Sequence, residues 1–210
     1  MRNPWQDIPL GDYEGHMRLG HIYQLQALNA LMEGQLRAFD ARTVMILGVA
    51  GGNGLEHIRP GDFQRVWGVD VNEDYLDVCR SRFPALSGVL ELVQADLLAE
   101  GTVLPHAELL IADLLVEYIG YDCFARRVEQ AAPRFVSCVI QINTDDSFVS
   151  DSPYLHAFDG LDAVHHQMEE EALTACLTGV GYTCTGRQDF PLPNGKKLLR
   201  LDFSKIKADQ

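Results

Sequence analysis

A glycine-rich bend is the part of this sequence with the clearest capacity for chemistry. It lies within residues 43–58, TVMILGVAGGNGLEHI, where an apolar run leads into the bend and a helix-like segment follows. A bend between a buried strand and a helix N-terminus presents bare backbone, whose N–H groups can bind a ligand. Its small residues are Gly48, Ala50, Gly51, Gly52 and Gly54.

Three acidic residues end successive apolar runs farther along the chain. Asp70 lies in RVWGVDV (65–71), Asp96 ends VLELVQAD (89–96) and Asp113 ends ELLIAD (108–113). Because parallel strands end at one edge of a sheet, we expect these carboxylates to surround one cleft. Asp70 follows Gly54 by sixteen residues, and a carboxylate there can accept hydrogen bonds from both hydroxyls of a ribose. Three carboxylates favour a cationic ligand over a phosphate.

Alternating strands and helices must position these residues. Beyond the runs named above, the pattern predicts helices over 72–82 and 118–132 and a strand over 134–143. A helix over 165–177 and two strands, 182–190 and 196–203, follow, with hairpin-type residues PLPNG between the strands. The prediction is an α/β fold: a doubly wound, mostly parallel sheet with helices on both faces and an antiparallel C-terminal strand hairpin.

The N-terminal part differs from the rest. Apolar residues recur at helical spacing over 17–39, which predicts a helix packed on the sheet or at a partner surface, so a homodimer is one option. The alternative is a lid, because Tyr13, Glu14 and His16 cluster just before that helix. We therefore divide the chain into an N-terminal helical extension, 1–40, and a main domain, 41–210.

Two common phosphate-binding motifs are absent from the bend. A dinucleotide site requires G-x-G-x-x-G, but counting from Gly48 places Ala50 and Asn53 at the second and third glycine positions. Counting from Gly52 places His57 at the third. No lysine follows these glycines, which excludes the triphosphate loop. The remaining option is a nucleoside that carries positive charge.

With these features, the sequence resembles the class I S-adenosylmethionine-dependent methyltransferases over residues 43–203. The resemblance implies a Rossmann-like, seven-stranded domain that binds S-adenosylmethionine and leaves S-adenosylhomocysteine. It maps the first family motif onto the bend, the ribose acid onto Asp70 with Val71, the adenine acid onto Asp96 with Leu97, and the residue facing the methyl group onto Asp113.

The chain departs from the family pattern at two positions of the bend. Gly48 stands where the family usually carries an acid, and Ala50 replaces the first motif glycine. The missing acid leaves the methionine ammonium to Asp113 or to backbone carbonyls. Alanine at position 50 is a mild change if its φ is negative.

Methyl transfer depends largely on positioning and desolvation, so a catalytic base is optional. The candidates for a base or for holding the acceptor are His16 first, then Tyr13 and Glu117. Further candidates are Glu14, Tyr118 and His156. The resemblance favours a small-molecule acceptor. The alternatives are a non-catalytic or regulatory protein that keeps the cofactor pocket, and a protein or RNA methyltransferase. Against the last, Leu114-Leu115-Val116 follows Asp113 where an NPPY-like clamp would stand.

Composition limits the partners. The formal net charge is −13, and no basic run is denser than Lys196-Lys197, so a nucleic acid is not expected as the substrate. The sequence shows no apolar stretch of membrane-span length, and its five scattered cysteines favour the cytoplasm. On a helix, His165 and Glu169 would share one face and Asp162 and His166 a neighbouring one, and Asp145-Asp146 follow the fifth strand. A solvated helix surface is the simpler interpretation, and no metal is predicted.

Overall fold

Seven strands form a single sheet in the computed structural model, which describes residues 3–59, 61–143 and 148–206. The order is β3-β2-β1-β4-β5-β7-β6. Strands β1 to β5 are parallel, whereas β7 runs antiparallel to both β5 and β6. The predicted fold, with its C-terminal hairpin, is confirmed. The strands are β1 Thr43–Leu47, β2 Arg65–Asp70, β3 Leu90–Gln94, β4 Leu109–Asp113, β5 Phe135–Ile142, β6 Tyr182–Pro191 and β7 Lys197–Lys205.

Helices cover both faces of the sheet because neighbouring residues of each strand point to opposite sides. On β1, Val44 and Ile46 pack in the cluster with α2 and α3, whereas Met45 and Leu47 pack in the cluster with α4, α5 and α6. Strand β1, at the centre of the sheet, is therefore apolar on both faces, as a doubly wound sheet requires. The helices are α1 Leu10–Arg18, α2 Gln24–Ala38, α3 Glu73–Arg82, α4 Val116–Ile119, α5 Tyr121–Ala131 and α6 Glu170–Gly179.

The helix predicted directly after the bend does not form. A single 3-10 turn, Leu55–His57, follows Gly54, and the chain reaches β2 at Arg65. The described residues between Gly54 and Arg65 form no α-helix, and Gly61 has a φ of +97°. Helix α2, which precedes β1 in sequence, supplies Met32 and Leu36 to the cluster that contains Leu55. The bend therefore has no α-helix N-terminus behind it.

The N-terminal helix predicted over 17–39 is two helices. Leu19 leaves the helical region at the end of α1, and Tyr23 has a φ of +60° just before α2 begins. Tyr13, Glu14 and His16 consequently lie within α1 rather than ahead of the predicted helix. Gly120, with a φ of +73°, divides the helix predicted over 118–132 into α4 and α5 in the same way.

The helix predicted over 165–177 begins only at Glu170. His165 and Glu169 therefore do not share a helix face, and the described residues contain no cluster of His, Cys, Asp or Glu suited to a metal ion. Asp145 and Asp146 lie outside the described residues. Within the described ranges, no helix is both long and apolar enough to cross a membrane.

Candidate functional site

The three predicted acids border one cleft at the carboxyl edge of the sheet. Asp70 ends β2, Asp113 ends β4, and Asp96 lies two residues beyond β3. Gly48 and Ala50 line the space between them. We call this space the carboxylate cleft. Val71 and Leu97 also line it, beside their respective acids.

Asp70 is tied to the backbone on both sides. Its Oδ2 accepts a hydrogen bond of 2.9 Å from the N–H of Ala50, and its Oδ1 accepts one of 2.9 Å from the N–H of Asn72. Burial raises its pKa, while these backbone N–H groups act in the opposite direction. Each carboxylate oxygen keeps lone pairs for a further donor. The residue thus fixes the bend to the start of α3 and still faces the cleft.

The N-terminal segment crosses the opening of the carboxylate cleft. Asn3 Nδ2 lies 3.4 Å from Oδ1 of Asp96, and Trp5 accepts a hydrogen bond of 3.0 Å from Asn72 Nδ2 through its carbonyl. The Tyr75 hydroxyl donates to the carbonyl of Ile8 at 2.8 Å. Asn3, Trp5 and Tyr75 line the cleft but were not predicted as site residues. Nothing in their spacing separates them from ordinary packing residues.

Every second residue of the bend has a left-handed backbone conformation. Gly48, Ala50, Gly52 and Gly54 have φ values of +73°, +46°, +89° and +92°. Ala50 therefore does not meet the condition of a negative φ, and this position is strained for an L-residue. The hydrogen bond from the N–H of Ala50 to Asp70 stabilises this strained conformation.

The bend residues divide into two groups by position. Gly48, Ala50 and Gly51 border ligand-sized space. Gly52 instead packs against α3 and Gly54 against α2, where added Cβ atoms would come within 2.5 Å of Phe83 Cε2 and 2.6 Å of Met32 Cγ. At Gly52 and Gly54, the backbone lies so close to side chains of the neighbouring helix region that a Cβ atom would overlap them, which explains the glycine at both positions.

A second space, the bend cleft, adjoins the other side of the bend. Gly48, Ala50, Gly51, Asn53 and Asp113 border it. Gln35 Nε2 donates to Oδ1 of Asp113 at 2.8 Å, whereas Oδ2 is buried with no hydrogen-bond partner among the described residues. Burial raises the pKa of Asp113 to about 7, with the Gln35 hydrogen bond as the largest opposing contribution.

An ion pair holds α1 against the bend. Glu14 is buried and forms a two-point pair with the Arg82 guanidinium, in which Nη2 and Oε2 are 2.9 Å apart. The same guanidinium donates to the carbonyl of Gly51 at 3.1 Å. Glu14 is therefore engaged as a structural partner of α3 and the bend, and Gly51 is held between them.

A third space, the aromatic cavity, contains all three predicted catalytic candidates. Tyr13, His16 and Glu117 line it together with Phe148 and His165. It shares a wall with the carboxylate cleft, formed by Trp5, Tyr13, Leu114 and Tyr118. Tyr13 also borders the bend cleft, so its ring lies where the three spaces meet. By contrast, the side chain of His156 is 95 % exposed and lies outside these spaces.

Glu117 is the strongest base candidate in the aromatic cavity. Its Oε1 accepts a hydrogen bond of 2.8 Å from the N–H of Gln141, but its Oε2 is buried without a partner in the described part of the chain. Burial raises its pKa to about 7, which suits a group that exchanges protons near neutrality.

His16 and Tyr13 are less suited to accept a proton. Burial lowers the pKa of His16 to about 4, and its Nδ1 lies 2.8 Å from the Ser152 hydroxyl. Burial also raises the pKa of Tyr13 far above its ordinary value, so its hydroxyl stays protonated near neutral pH. Both side chains act more readily as hydrogen-bonding groups than as bases.

Comparisons with known proteins identify the fold. No protein-family model matches the chain, and no curated protein does. Solved structures do. A S-adenosylmethionine-dependent methyltransferase from Mesorhizobium loti superposes with a TM-score of 0.60 at 16 % identity, covering 89 % of this chain and 98 % of the other. The chain has the class I methyltransferase fold.

Two further structures show how widely this fold is used. A phosphoethanolamine N-methyltransferase from Haemonchus contortus, in complex with phosphomonomethylethanolamine and S-adenosylhomocysteine, gives a TM-score of 0.69 at 11 % identity over 94 % of this chain and 57 % of its own. The [4+2]-cyclase SpnF gives 0.67 at 9 % identity over 91 % and 85 %. The methyltransferase fold therefore does not by itself determine the reaction.

Proposed function

We propose that this chain binds S-adenosylmethionine and transfers its methyl group to a small-molecule acceptor. The observation that carries the proposal is the position of Asp113. Asp113 lines both the carboxylate cleft and the bend cleft, and its Oδ2 is buried with no hydrogen-bond partner among the described residues. A buried carboxylate oxygen without a partner is costly unless a ligand supplies one, and a cation supplies it best. S-adenosylmethionine carries two positively charged groups, a sulfonium and an ammonium, on an adenosine.

The residues present fit this cofactor. In the carboxylate cleft, Asp70 would accept hydrogen bonds from the ribose hydroxyls and Asp96 from the adenine amine, between the apolar walls of Val71 and Leu97. In the bend cleft, the backbone of Gly48, Ala50 and Gly51 would lie against the methionine portion. Asp113 would take the place of the acid that is missing at Gly48. Gly52 and Gly54 would act through the shape of the bend.

The absent crossover helix agrees with this ligand. A helix N-terminus adds positive potential and attracts phosphate, as in dinucleotide sites. Here the bend is followed by one 3-10 turn, and three carboxylates line the cleft that it borders. The site therefore favours a neutral or cationic group at the bend.

When bound, the cofactor supplies a methyl group already activated by the sulfonium. The protein's task is then to orient the acceptor, exclude water and manage one proton. The shared wall of Trp5, Tyr13, Leu114 and Tyr118 would set the approach of an acceptor held in the aromatic cavity. Glu117 would accept the acceptor's proton, with the neutral His16 ring beside it. The predicted extension over 1–40 would close the site through residues 3–18.

Isothermal titration calorimetry with S-adenosylmethionine and with S-adenosylhomocysteine tests the proposal. Asp70→Asn should weaken binding of either ligand by about 1–3 kcal/mol, because it removes a charged acceptor for the hydroxyls. Asp74→Asn, an exposed change on α3, is the matched control and should leave affinity unchanged. Absence of heat with both ligands in the folded wild-type protein would refute the proposal.

A non-catalytic or differently reacting protein is the second candidate. The departure at Gly48 and the cyclase with this fold favour keeping it open. Transfer of a labelled methyl group to small-molecule acceptors would separate the candidates, because a binding protein would retain the label on the cofactor. The homodimer and the cytoplasmic location stay predictions from sequence.

A further inference from the structure

The aromatic cavity has walls unlike those of the other two spaces. The rings of Tyr13 and Tyr118 contact Trp5 edge-on, with centroids 5.6 and 4.8 Å from its centroid. His165 continues the row, 5.8 Å from Tyr118 and stacked on Phe148 at 3.8 Å. His16 and Phe158 add a second pair, with centroids 4.8 Å apart. The cavity is thus bordered by a nearly continuous series of rings.

One charge faces this aromatic space. Glu117 is 3 % exposed, and its Oε2 has no hydrogen-bond partner within the described residues. The described residues that line the cavity include no lysine and no arginine. Burial lowers the pKa of both His16 and His165 to about 4, so both imidazoles are neutral at pH 7 and do not repel a cation.

Resting on the proposed function, we propose that the acceptor is a small amine on a flat apolar body, held with its nitrogen at Glu117 Oε2 and its body among the rings. The faces of aromatic rings attract cations, and a buried carboxylate pairs with an ammonium group. A carboxylate or phosphate acceptor would meet Glu117 with no lysine or arginine among the described residues that line the cavity. An alcohol would leave the carboxylate charge unbalanced.

The reaction balances with these groups. The ammonium nitrogen gives one proton to Glu117 Oε2, which leaves a neutral amine and a neutral carboxylic acid. The amine lone pair forms a bond to the methyl carbon as the carbon–sulfur bond breaks, and that electron pair stays on sulfur. The positive charge thereby passes from sulfur to the methylated nitrogen. The proton on Glu117 returns to solvent before the next cycle.

Binding of three probes of equal skeleton tests the inference without requiring turnover. The probes are 2-phenylethylamine, 2-phenylethanol and phenylacetate, titrated by calorimetry at about pH 8, where Glu117 is ionised. Tryptophan fluorescence provides a second signal, in which Trp5 reports from the cavity wall and Trp67, which does not line the cavity, contributes a background. We expect the amine to bind at least about tenfold more tightly than the alcohol, and phenylacetate to bind most weakly.

Glu117→Gln keeps the side-chain shape and removes the charge. It should reduce the preference for amine over alcohol to about twofold or less. Glu171→Gln, an exposed change on α6, should retain the preference. An alcohol that binds as tightly as the amine to the wild-type protein would overturn the inference, even if Glu117→Gln failed to fold.

The same experiment keeps this inference separate from the proposed function. Each probe is titrated into the protein alone and into protein saturated with S-adenosylhomocysteine. Failure of the nucleoside to bind counts against the cofactor assignment, and the amine preference in the protein alone is then still measured. Binding of the nucleoside without amine preference overturns the acceptor class alone.

Discussion

At position 50, an L-residue adopts the backbone conformation that usually belongs to glycine. The left-handed region costs an L-residue roughly 1–2 kcal/mol, whereas glycine costs roughly 0.5–1 kcal/mol of folding entropy. Ala50→Gly is therefore expected to leave the free energy of unfolding unchanged or to raise it by up to about 1.5 kcal/mol. Urea denaturation measures the difference.

Gly52→Ala supplies the opposite case in the same bend. Its φ is +89°, and a Cβ would lie 2.5 Å from Phe83 Cε2 and 2.9 Å from Cys79 Sγ. The variant should lose more than about 2 kcal/mol of stability through strain and overlap. Equal effects at positions 50 and 52 would contradict the described backbone.

The buried carboxyls Asp113 and Glu117 should give the protein a distinctive pH dependence. An unfolded carboxyl titrates near about pH 4, whereas burial raises the folded pKa of both residues to about 7. Between these values the folded state binds more protons than the unfolded chain, so stability falls as pH rises. Their contribution is complete below about pH 4 and is lost as pH passes about 7.

A double variant checks this sign. Asp113→Asn with Glu117→Gln should flatten the fall in unfolding free energy between about pH 5 and about pH 8, measured by urea denaturation. Asp74→Asn with Glu171→Gln changes two exposed carboxyls and should leave the fall in place. A wild-type stability that rises over this interval would be inconsistent with two buried, partnerless carboxylate oxygens.

At the scale of elements, one ion pair joins α1, α3 and the bend. Arg82→Ala leaves Glu14 buried without its main cation and should cost roughly 1–3 kcal/mol, less than the roughly 3–5 kcal/mol for a fully buried pair, because the Arg82 side chain is 42 % exposed. Arg80→Ala removes an exposed arginine of the same helix and should cost less than about 1 kcal/mol. Comparable losses in the two variants would show that the pair is not holding α1.

The elements also show what the sequence could predict and what it could not. All seven strands were predicted, and the signal was clearest for β1, β4 and β5, because a strand buried on both faces has a continuous apolar sequence. Helix α3 was predicted well, since Asn72 accepts the N–H of Tyr75 at its start. The breaks at Tyr23 and Gly120 were missed because they depend on single backbone angles within otherwise helical patterns.

For the whole molecule, the net charge of −13 should be visible in its response to salt. Repulsion among like charges disfavours the compact state, and salt screens it with a Debye length of about 10 Å at 0.1 M. The thermal midpoint at neutral pH should therefore rise as salt increases. Repeating the scan near the pI of about 4.8 provides the control, because the salt dependence should largely disappear there. A midpoint independent of salt at neutral pH would argue against this repulsion.

The assembled site also marks the limit of sequence reasoning. The convergence of Asp70, Asp96 and Asp113 could be predicted because parallel strands end at one edge. The contributions of Gln35, Trp5 and Tyr75 could not, since they reach the site from helices and from the N-terminal segment through tertiary contacts. The gathering of Tyr13, His16 and Glu117 was predicted only as a set of candidates, and the fold gives them one cavity.

Tyr13 is a wall common to all three described spaces, and this has a consequence for timing. Ligands on the two sides of the Tyr13 ring would contact the same side chain. The time for which one ligand stays bound would then depend on whether the other ligand is present. Under the proposed function, release of the nucleoside and entry of the acceptor would then be linked events rather than independent ones.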